Sequence, residues 1–434
     1  MPAGPRRPGA ASPTPPANYT APGGRRVGPY TASGGRTGLA RTLAIVAWLY
    51  VLEGFPMGVF QKLLPVFLRL EDVSLTAIGF LQVASFAWAA KVLWSPLVDR
   101  FGERRQWIAA AMLAMAGCLA AWISGDPAAI GVWLWISVGL YCLASATQDI
   151  AIDAYTIGLV ERGDEGPVNA VRNIAYRVGM IASGGALLAL TDRLGWGPVF
   201  AVGGAASFAM AASVRLAPAV PVPAAARADT WSALRRWLDR DHVVAAAGFI
   251  LLYRVGDRAM GPMVEPFWVD RGFTTGQIAW ISGTLGPVAT LVGGVLGGVC
   301  VSRLGIRRSL WWLGAFALLS NLAYAGAASL PEGSWRAIYT ASLVESFTGG
   351  MAGVGFMSYL MRICQKEHAA VQYALVTSIY AVAGGLVAIP SGWLTEQMGY
   401  ASYFLLTGAY ALPAFAFLVR AGRLTGEAVT GEAG

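Results

Sequence analysis

The stretch SATQDIAIDAY (145–155) sets Gln148, Asp149 and Asp153 at the end of a long apolar run. Two carboxylates four residues apart stand one turn apart on the same face of a helix, with Gln148 beside them and Tyr155 further round. Like charges this close disfavour double ionisation, which makes Asp149 and Asp153 the first candidates to carry a proton. Other ionisable residues interrupt apolar runs: Glu53 in VLEGFPMG, Lys91 in WAAKVLWSP, Arg177 in YRVG, Arg254 and Asp257 in LLYRVGDRAMGP, and Glu345 in LVESFTGGMAG. A charged group at the centre of a membrane span costs about 2.5–3.5 kcal/mol on insertion scales, so a set of this size has to face a shared polar cavity rather than lipid. Glu53, Asp257 and Glu345 therefore join the two aspartates as proton-coupling candidates. Gln148, Tyr155, Lys91, Arg177 and Arg254 are candidates to line the cavity. A cavity with both signs suits a polar small molecule bearing carboxylate or phosphate, to which arginine offers forked donors.

Depth arithmetic suggests partners. A hairpin turning near Gly163 sets Asp149 and Arg177 at similar depth on antiparallel neighbours, and one turning near Val73 does the same for Glu53 and Lys91. Arg254 and Asp257, three residues apart, can pair within one helix. For any one of these the alternative is an ion pair that only fixes helix register.

The positioning elements follow from hydropathy. The 434 residues are 56% hydrophobic and 13% charged, with mean hydropathy +0.54; soluble domains are about 25% charged. About twelve apolar runs of about 20 residues, from 42–64 to 401–420, are each long enough to cross a hydrocarbon core of about 30 Å as a helix. The Pro-, Ala- and Arg-rich stretch RLAPAVPVPAAARADTWSALRRW interrupts them after the sixth. The fold expected is an all-α membrane protein of twelve transmembrane helices in two six-helix halves. Its parts are a basic disordered tail (1–41), a first bundle (42–215), a linker (216–241), a second bundle (242–420) and a short tail (421–434).

The halves repeat weakly at an offset of about 200 residues. LPVFLR (64–69) aligns with EPFWVD (265–270), SGGALLA (183–189) with AGGLVAI (383–389), and DRFGERR (99–105) with SRLGIRR (302–308). The last pair encodes two sharp gating loops, Asp99, Arg100, Gly102, Arg104 and Arg105 in one, and Arg303, Gly305, Arg307 and Arg308 in the other. Glycines four apart in GGVLGG (293–298) and TGGMAG (348–353) predict close helix approach. Gly54, Pro56 and Pro65 in the first span, with Gly261, Pro262 and Pro266 in the seventh, predict bends at matching places.

The net charge of +8 does not point to nucleic acid. Most Lys and Arg fall on one side of the alternating spans, with Arg69, Arg193, Arg271 and Arg336 on the other, so the charge is a topology signal that places both termini in the cytoplasm. Cys118, Cys142, Cys300 and Cys364 show no paired spacing, and neither a disulfide framework nor a metal site is expected. The two histidines, His242 and His368, sit in no nucleophile or metal constellation, which argues against an enzyme such as a membrane acyltransferase and leaves no cofactor to expect. A non-transporting scaffold would leave the buried charges of both halves without a role.

WSPLVDRFG, SATQDIAIDAY, YRVG, LLYRVGD and VESFTGGMAGVGFMSYLMRICQKEHAAVQYALVTSIYAVAGG together resemble the AmpG-type muropeptide permeases. These are a branch of the major facilitator superfamily that also includes acetyl-coenzyme A transporters, and the paired loops resemble that superfamily's loop between its second and third helices. Over about residues 42–420 the resemblance implies proton-driven import of anhydro-muropeptides across the bacterial inner membrane, by alternating access, in a monomer. It adds Gln372 and Tyr373, on the eleventh span, to the cavity lining. The alternative is an acetyl-coenzyme A or other anionic-metabolite carrier of the same superfamily, using Lys91, Arg177 and Arg254 against phosphates.

Overall fold

Among the described residues the helices group into twelve spans. The structure is a computed structural model and describes residues 36–124, 126–127, 131–159, 165–218, 243–363 and 369–421. Both tails, most of the linker, His242, Cys364 and His368 lie outside the described residues. The spans are α1 (36–70), α2 (75–100), α3 (104–121), α4 (132–159), α5 (165–194) and α6 (196–216), then α7 (243–270), α8 (275–304), α9 (306–329), α10 (335–363), α11 (369–398) and α12 (400–421). Six of the described helices are long and apolar enough to cross a membrane on that criterion alone. α1 begins at Arg36, earlier than the apolar run at 42. Helical hydrogen bonding satisfies the backbone wherever the chain nears lipid, so the helix outruns its hydrophobic stretch.

Packing repeats between the halves. α1 lies on α5 as α7 lies on α11, α2 on α4 as α8 on α10, and α3 on α4 and α6 as α9 on α10 and α12. The glycine clusters do what their spacing predicts. A Cβ on Gly293 would stand 2.0 Å from Phe347 O and one on Gly350 would stand 2.2 Å from Thr290 O, so α8 and α10 touch through backbone. Gly102 and Gly305 each turn the chain in the left-handed region, with φ of 71° and 77°, a conformation that costs glycine nothing.

In the first span the irregular turn falls between Pro56 and Pro65, as the prolines suggested, whereas in the seventh the break comes ahead of its prolines. Pro56 lies inside continuous helix Arg36–Gly58, and Pro262 and Pro266 inside Val255–Asp270. The irregular turns are π-turns at Val59–Leu63 in α1, Ala182–Leu187 in α5 and Ile281–Leu285 in α8. Tight 3₁₀ turns occupy Leu81–Ser85 and Lys91–Leu93 in α2. α7 breaks between Leu252 and Val255, with Arg254 at the break.

Those π-turns meet at one face of the molecule. A Cβ on Gly283 would lie 2.3 Å from Gly184 O, and one on Gly392 only 1.7 Å from Leu75 O, so the halves are in main-chain contact there. The remainder of α7, Val243–Leu252, packs on α11 and α12 of its own half, while Val255–Asp270 also reaches α1 and α2. The halves are therefore joined at the face carrying the 71–74 and 271–274 turns.

Candidate functional site

The charged residues collect part-way along their spans, in each half. Lys91 on α2 donates a short hydrogen bond to Asp149 on α4. One turn on, Asp153 accepts from the Tyr50 hydroxyl of α1 at 2.6 Å and from Arg172 Nη2 of α5 at 2.8 Å. The Arg172 guanidinium lies 4.6 Å from the centre of the Tyr50 ring. Side-chain exposures of 37% for Asp153 and 34% for Lys91 and Arg172 put these groups on the gap rather than in a sealed core. The Glu53 carboxyl faces that of Asp149 within hydrogen-bonding reach, and its Oε2 has no partner.

On the other half, Arg254 Nη2 stands 2.8 Å from Asp257 Oδ2, and Nη1 donates to Gly349 O of α10 at 2.8 Å. Glu345, one turn before Gly349, lies within electrostatic range of both. Arg258 stacks 4.8 Å over the Tyr380 ring of α11 and donates to its hydroxyl at 3.0 Å. Gly384 gives that arginine room, since a Cβ there would come 3.1 Å from Arg258 Cγ.

Several expectations need revision. Asp149 and Arg177 do not meet, and neither do Glu53 and Lys91 as a simple pair, because Lys91 takes Asp149. The cause is that the main packing partner of α5 is α1 and that α2 packs on α4, so these two hairpins are not packed along their length. Gln148 lies beside Asp149 in sequence but about 100° round the helix. It is fully buried, donating to Leu52 O and Met112 Sδ, and holds α4 to α1 and α3 rather than lining the cavity. Tyr155 is also buried, with its hydroxyl donating to Pro218 O at 2.6 Å, so it ties the end of α6 to α4. Gln372 and Tyr373 belong to helix Ala369–Ala388, and their side chains lie outside the described residues.

In the first gating loop, Arg104 donates to Ala154 O and Arg105 to Ala217 O, so the loop clasps the ends of α4 and α6. The side chains of Asp99 and Arg100 lie outside the described residues. In the second loop Arg303 is exposed, while Arg307 and Arg308 each have partners.

A second constellation, at the joined face, was not anticipated. Lys62, within the α1 π-turn, donates to Glu265 of α7 at 2.5 Å and to Ser282 of the α8 π-turn at 3.0 Å; Glu265 is 3% exposed. Arg69 forks onto Asp270 at 2.5 and 2.9 Å, Glu396 accepts from Thr76, and Asp192 accepts from Thr275 and from Gly276 N. The repeat alignment held a usable signal, since it sets Arg69 opposite Asp270, and the two pair across the pseudo-twofold.

Removing one partner from a buried ion pair leaves the other charge uncompensated, at a cost of about 3–5 kcal/mol. Glu265→Gln is therefore expected to loosen the joined face and raise the rate of thiol modification of a cysteine at Thr191 at least about tenfold, the change that about 1.4 kcal/mol produces. Adding Lys62→Met should restore protection. An unchanged rate in the single variant would remove this pair from the gate.

A family model described as Major Facilitator Superfamily matches residues 46–388. The "Anhydromuropeptide permease" of Escherichia coli (strain K12) is 30% identical over 387 residues, covering 87% of this chain and 79% of that protein. The "Putative transporter AmpG 4" of Rickettsia conorii is 28% identical, covering 86% of this chain and 94% of that one. Among solved structures, a bacterial homolog of the human lysosomal transporter Spinster, inward-facing and unoccupied, superposes with TM-score 0.72 at 15% identity, covering 90% of this chain and 98% of that one. A POT family transporter in complex with a thioalcohol-conjugated peptide gives 0.70 at 12% identity, covering 89% and 97%. At these identities the structural matches establish the shared fold.

Proposed function

This chain belongs to the AmpG-type permeases of the Major Facilitator Superfamily, and from that membership we propose that it imports anhydro-muropeptides by proton-coupled alternating access. It is a multi-pass secondary transporter rather than an enzyme, and the observation that carries the cargo reading is the set of part-exposed charged side chains of both signs held inside the spans of both halves. Groups of both signs on α1, α2, α4, α5, α7 and α10 can hold a molecule with carboxylates at one end and neutral sugar hydroxyls at the other. Asp149 and Asp153, one turn apart beside Lys91 and Arg172, are the first candidates to carry the coupling proton, with Glu53, Asp257 and Glu345 after them. The protein acts as a monomer in the bacterial inner membrane with both termini in the cytoplasm. The joined face is then periplasmic, and the state seen is the one that releases cargo inward. An acetyl-coenzyme A or other anionic-metabolite carrier is the second reading, favoured by the arginines.

Uptake of a labelled anhydro-muropeptide into liposomes containing the purified protein tests this. With one proton per cargo, each pH unit of inward gradient should support about tenfold accumulation, unaffected by excess acetyl-coenzyme A. Absence of accumulation by folded protein, or its suppression by acetyl-coenzyme A, would move the cargo to nucleotide-linked anions.

A further inference from the structure

The joined face carries a cavity apart from the charged residues within the spans. It measures about 310 Å³ and lies between the turn joining α7 to α8 and the start of α10, walled chiefly by Arg271, Phe273, Gln277, Ser334, Trp335 and Tyr339. Small-molecule sites run from about 300 to 1,000 Å³, so this one has room for a single ring. Its mouth lies at the turns. Gly272 and Gly333 line it, and a Cβ added to either would meet nothing within 4 Å.

Aromatic surface dominates the wall. Trp335 and Tyr339 lie edge to face with centres 5.5 Å apart, Phe273 stands 5.4 Å from Tyr339, and Tyr339 stacks on the buried Trp268 at 5.5 Å. Trp335 still leaves 48% of its surface exposed, although the Arg336 guanidinium lies 5.0 Å from its ring centre. Aromatic rings braced from behind and open in front form a platform for another apolar face. The polar part of the wall is nearly without free charge. Arg271 is its only charged residue, and its terminal nitrogens donate to Leu330 O and Ala328 O at the end of α9. A phosphate or carboxylate would find that fork already spent. Gln277 gives its Oε1 to Thr274 N, so its amide nitrogen and the Ser334 hydroxyl are the donors on offer.

We infer that this cavity is a second binding site, outside the seal between the halves, which takes a neutral pyranose ring and receives the sugar end of the cargo. A pyranose has apolar C–H faces for the aromatic platform and a rim of hydroxyls for Gln277 and Ser334, so it matches both parts of the wall. An anionic headgroup matches neither. The receiving role follows from position: Asp270, just before the turn, takes the Arg69 fork, and Thr275 and Gly276, just after it, hold Asp192. A ring held here stands beside the place where the halves must open. The inference rests on the transport reading proposed above for that role, but not for the ligand.

Binding to the purified full-length protein in detergent, read by saturation transfer to the probe, tests the site. The probes are the methyl glycoside of N-acetylglucosamine, the acyclic polyol sorbitol and glycerol phosphate. The glycoside should bind best. Trp335→Ala should weaken it up to about tenfold, the scale of one lost ring contact, and Ser334→Ala, which keeps the aromatics, about threefold. Trp312→Ala, an exposed tryptophan near the other end of α9, should change nothing. In liposomes, Trp335→Ala should raise the KM for a labelled anhydro-muropeptide about two- to tenfold with the maximal rate kept, the mark of lost binding alone. Thermal unfolding near that of the unmodified protein qualifies each variant. Sorbitol or glycerol phosphate binding as well as the glycoside overturns the site, as does undiminished glycoside binding in both folded Trp335→Ala and Ser334→Ala, or no binding of any probe. An unchanged KM overturns the receiving role. Glycoside binding that depends on Trp335, without muropeptide uptake by the unmodified protein, upholds the sugar site and overturns the cargo reading.

Discussion

Asp149→Asn is expected to abolish gradient-driven accumulation, by about a hundredfold or more, while exchange across an equilibrated membrane persists. The reason lies in how Asp149 is held. It accepts from Lys91 on one side and faces the Glu53 carboxyl on the other, so a proton entering here changes the charge balance between α1, α2 and α4 together. An asparagine keeps the shape, but it offers no site for that proton and leaves Lys91 without its counter-charge. The lysine, partly exposed and still near Glu53 and Asp153, should lower stability by about 1–3 kcal/mol, whereas removing both charges of such a pair is often nearly neutral. Asp149→Asn with Lys91→Gln should therefore recover the unfolding temperature without recovering accumulation. Asp153, engaged by Arg172 and Tyr50, should tolerate asparagine better. Accumulation at wild-type level in Asp149→Asn would end the assignment of the proton to this residue.

The second large effect is steric. Gly392 sits so close to α2 that an added Cβ would be 1.7 Å from Leu75 O and 2.7 Å from Thr76 N. Both neighbours are main chain and cannot rotate away. Gly392→Ala should hold the joined face apart, shifting the population toward the opposite opening and lowering uptake at least about tenfold. Spin labels on the turns at 71–74 and 271–274, read by pulsed electron resonance, would report a longer separation than in the unmodified protein. An identical distance distribution would show that the backbones can slide past the extra methyl. Gly261→Ala makes a suitable control, since a Cβ there meets nothing within 4 Å.

The sequence showed the inventory better than the partners. Charged residues stand out in apolar runs because each is costly to insert, so Glu53, Lys91, Asp149, Asp153, Arg177, Arg254, Asp257 and Glu345 could be picked out one at a time. Who meets whom depends on helix adjacency, which hydropathy does not encode. The hairpin argument brought α4 and α5 together at the right depth, but the pair they form is Asp153 with Arg172, because α5 packs chiefly on α1 and Asp149 is taken by Lys91. Gln148 shows the same limit at a smaller scale, because one residue's step round the helix separates a cavity carboxylate from a buried amide. Lys62 and Glu265 went unremarked because they lie near the ends of apolar runs, where charge is cheap. Only the π-turns bring them inward to one another. Arg69 and Asp270 were visible as aligned positions, yet alignment of two repeats does not announce contact between them.

The main-chain contact of Gly184 with Gly283, and of Gly392 with Leu75, has a consequence for how such a molecule can diversify. Backbone meeting backbone is indifferent to what is being carried, and it lies apart from the charged side chains of Lys91, Asp149 and Asp153. Mutations that re-shape those side chains leave the shutter intact. A lineage, or a laboratory selection, can therefore explore substrate choice without first rebuilding the machine that moves it.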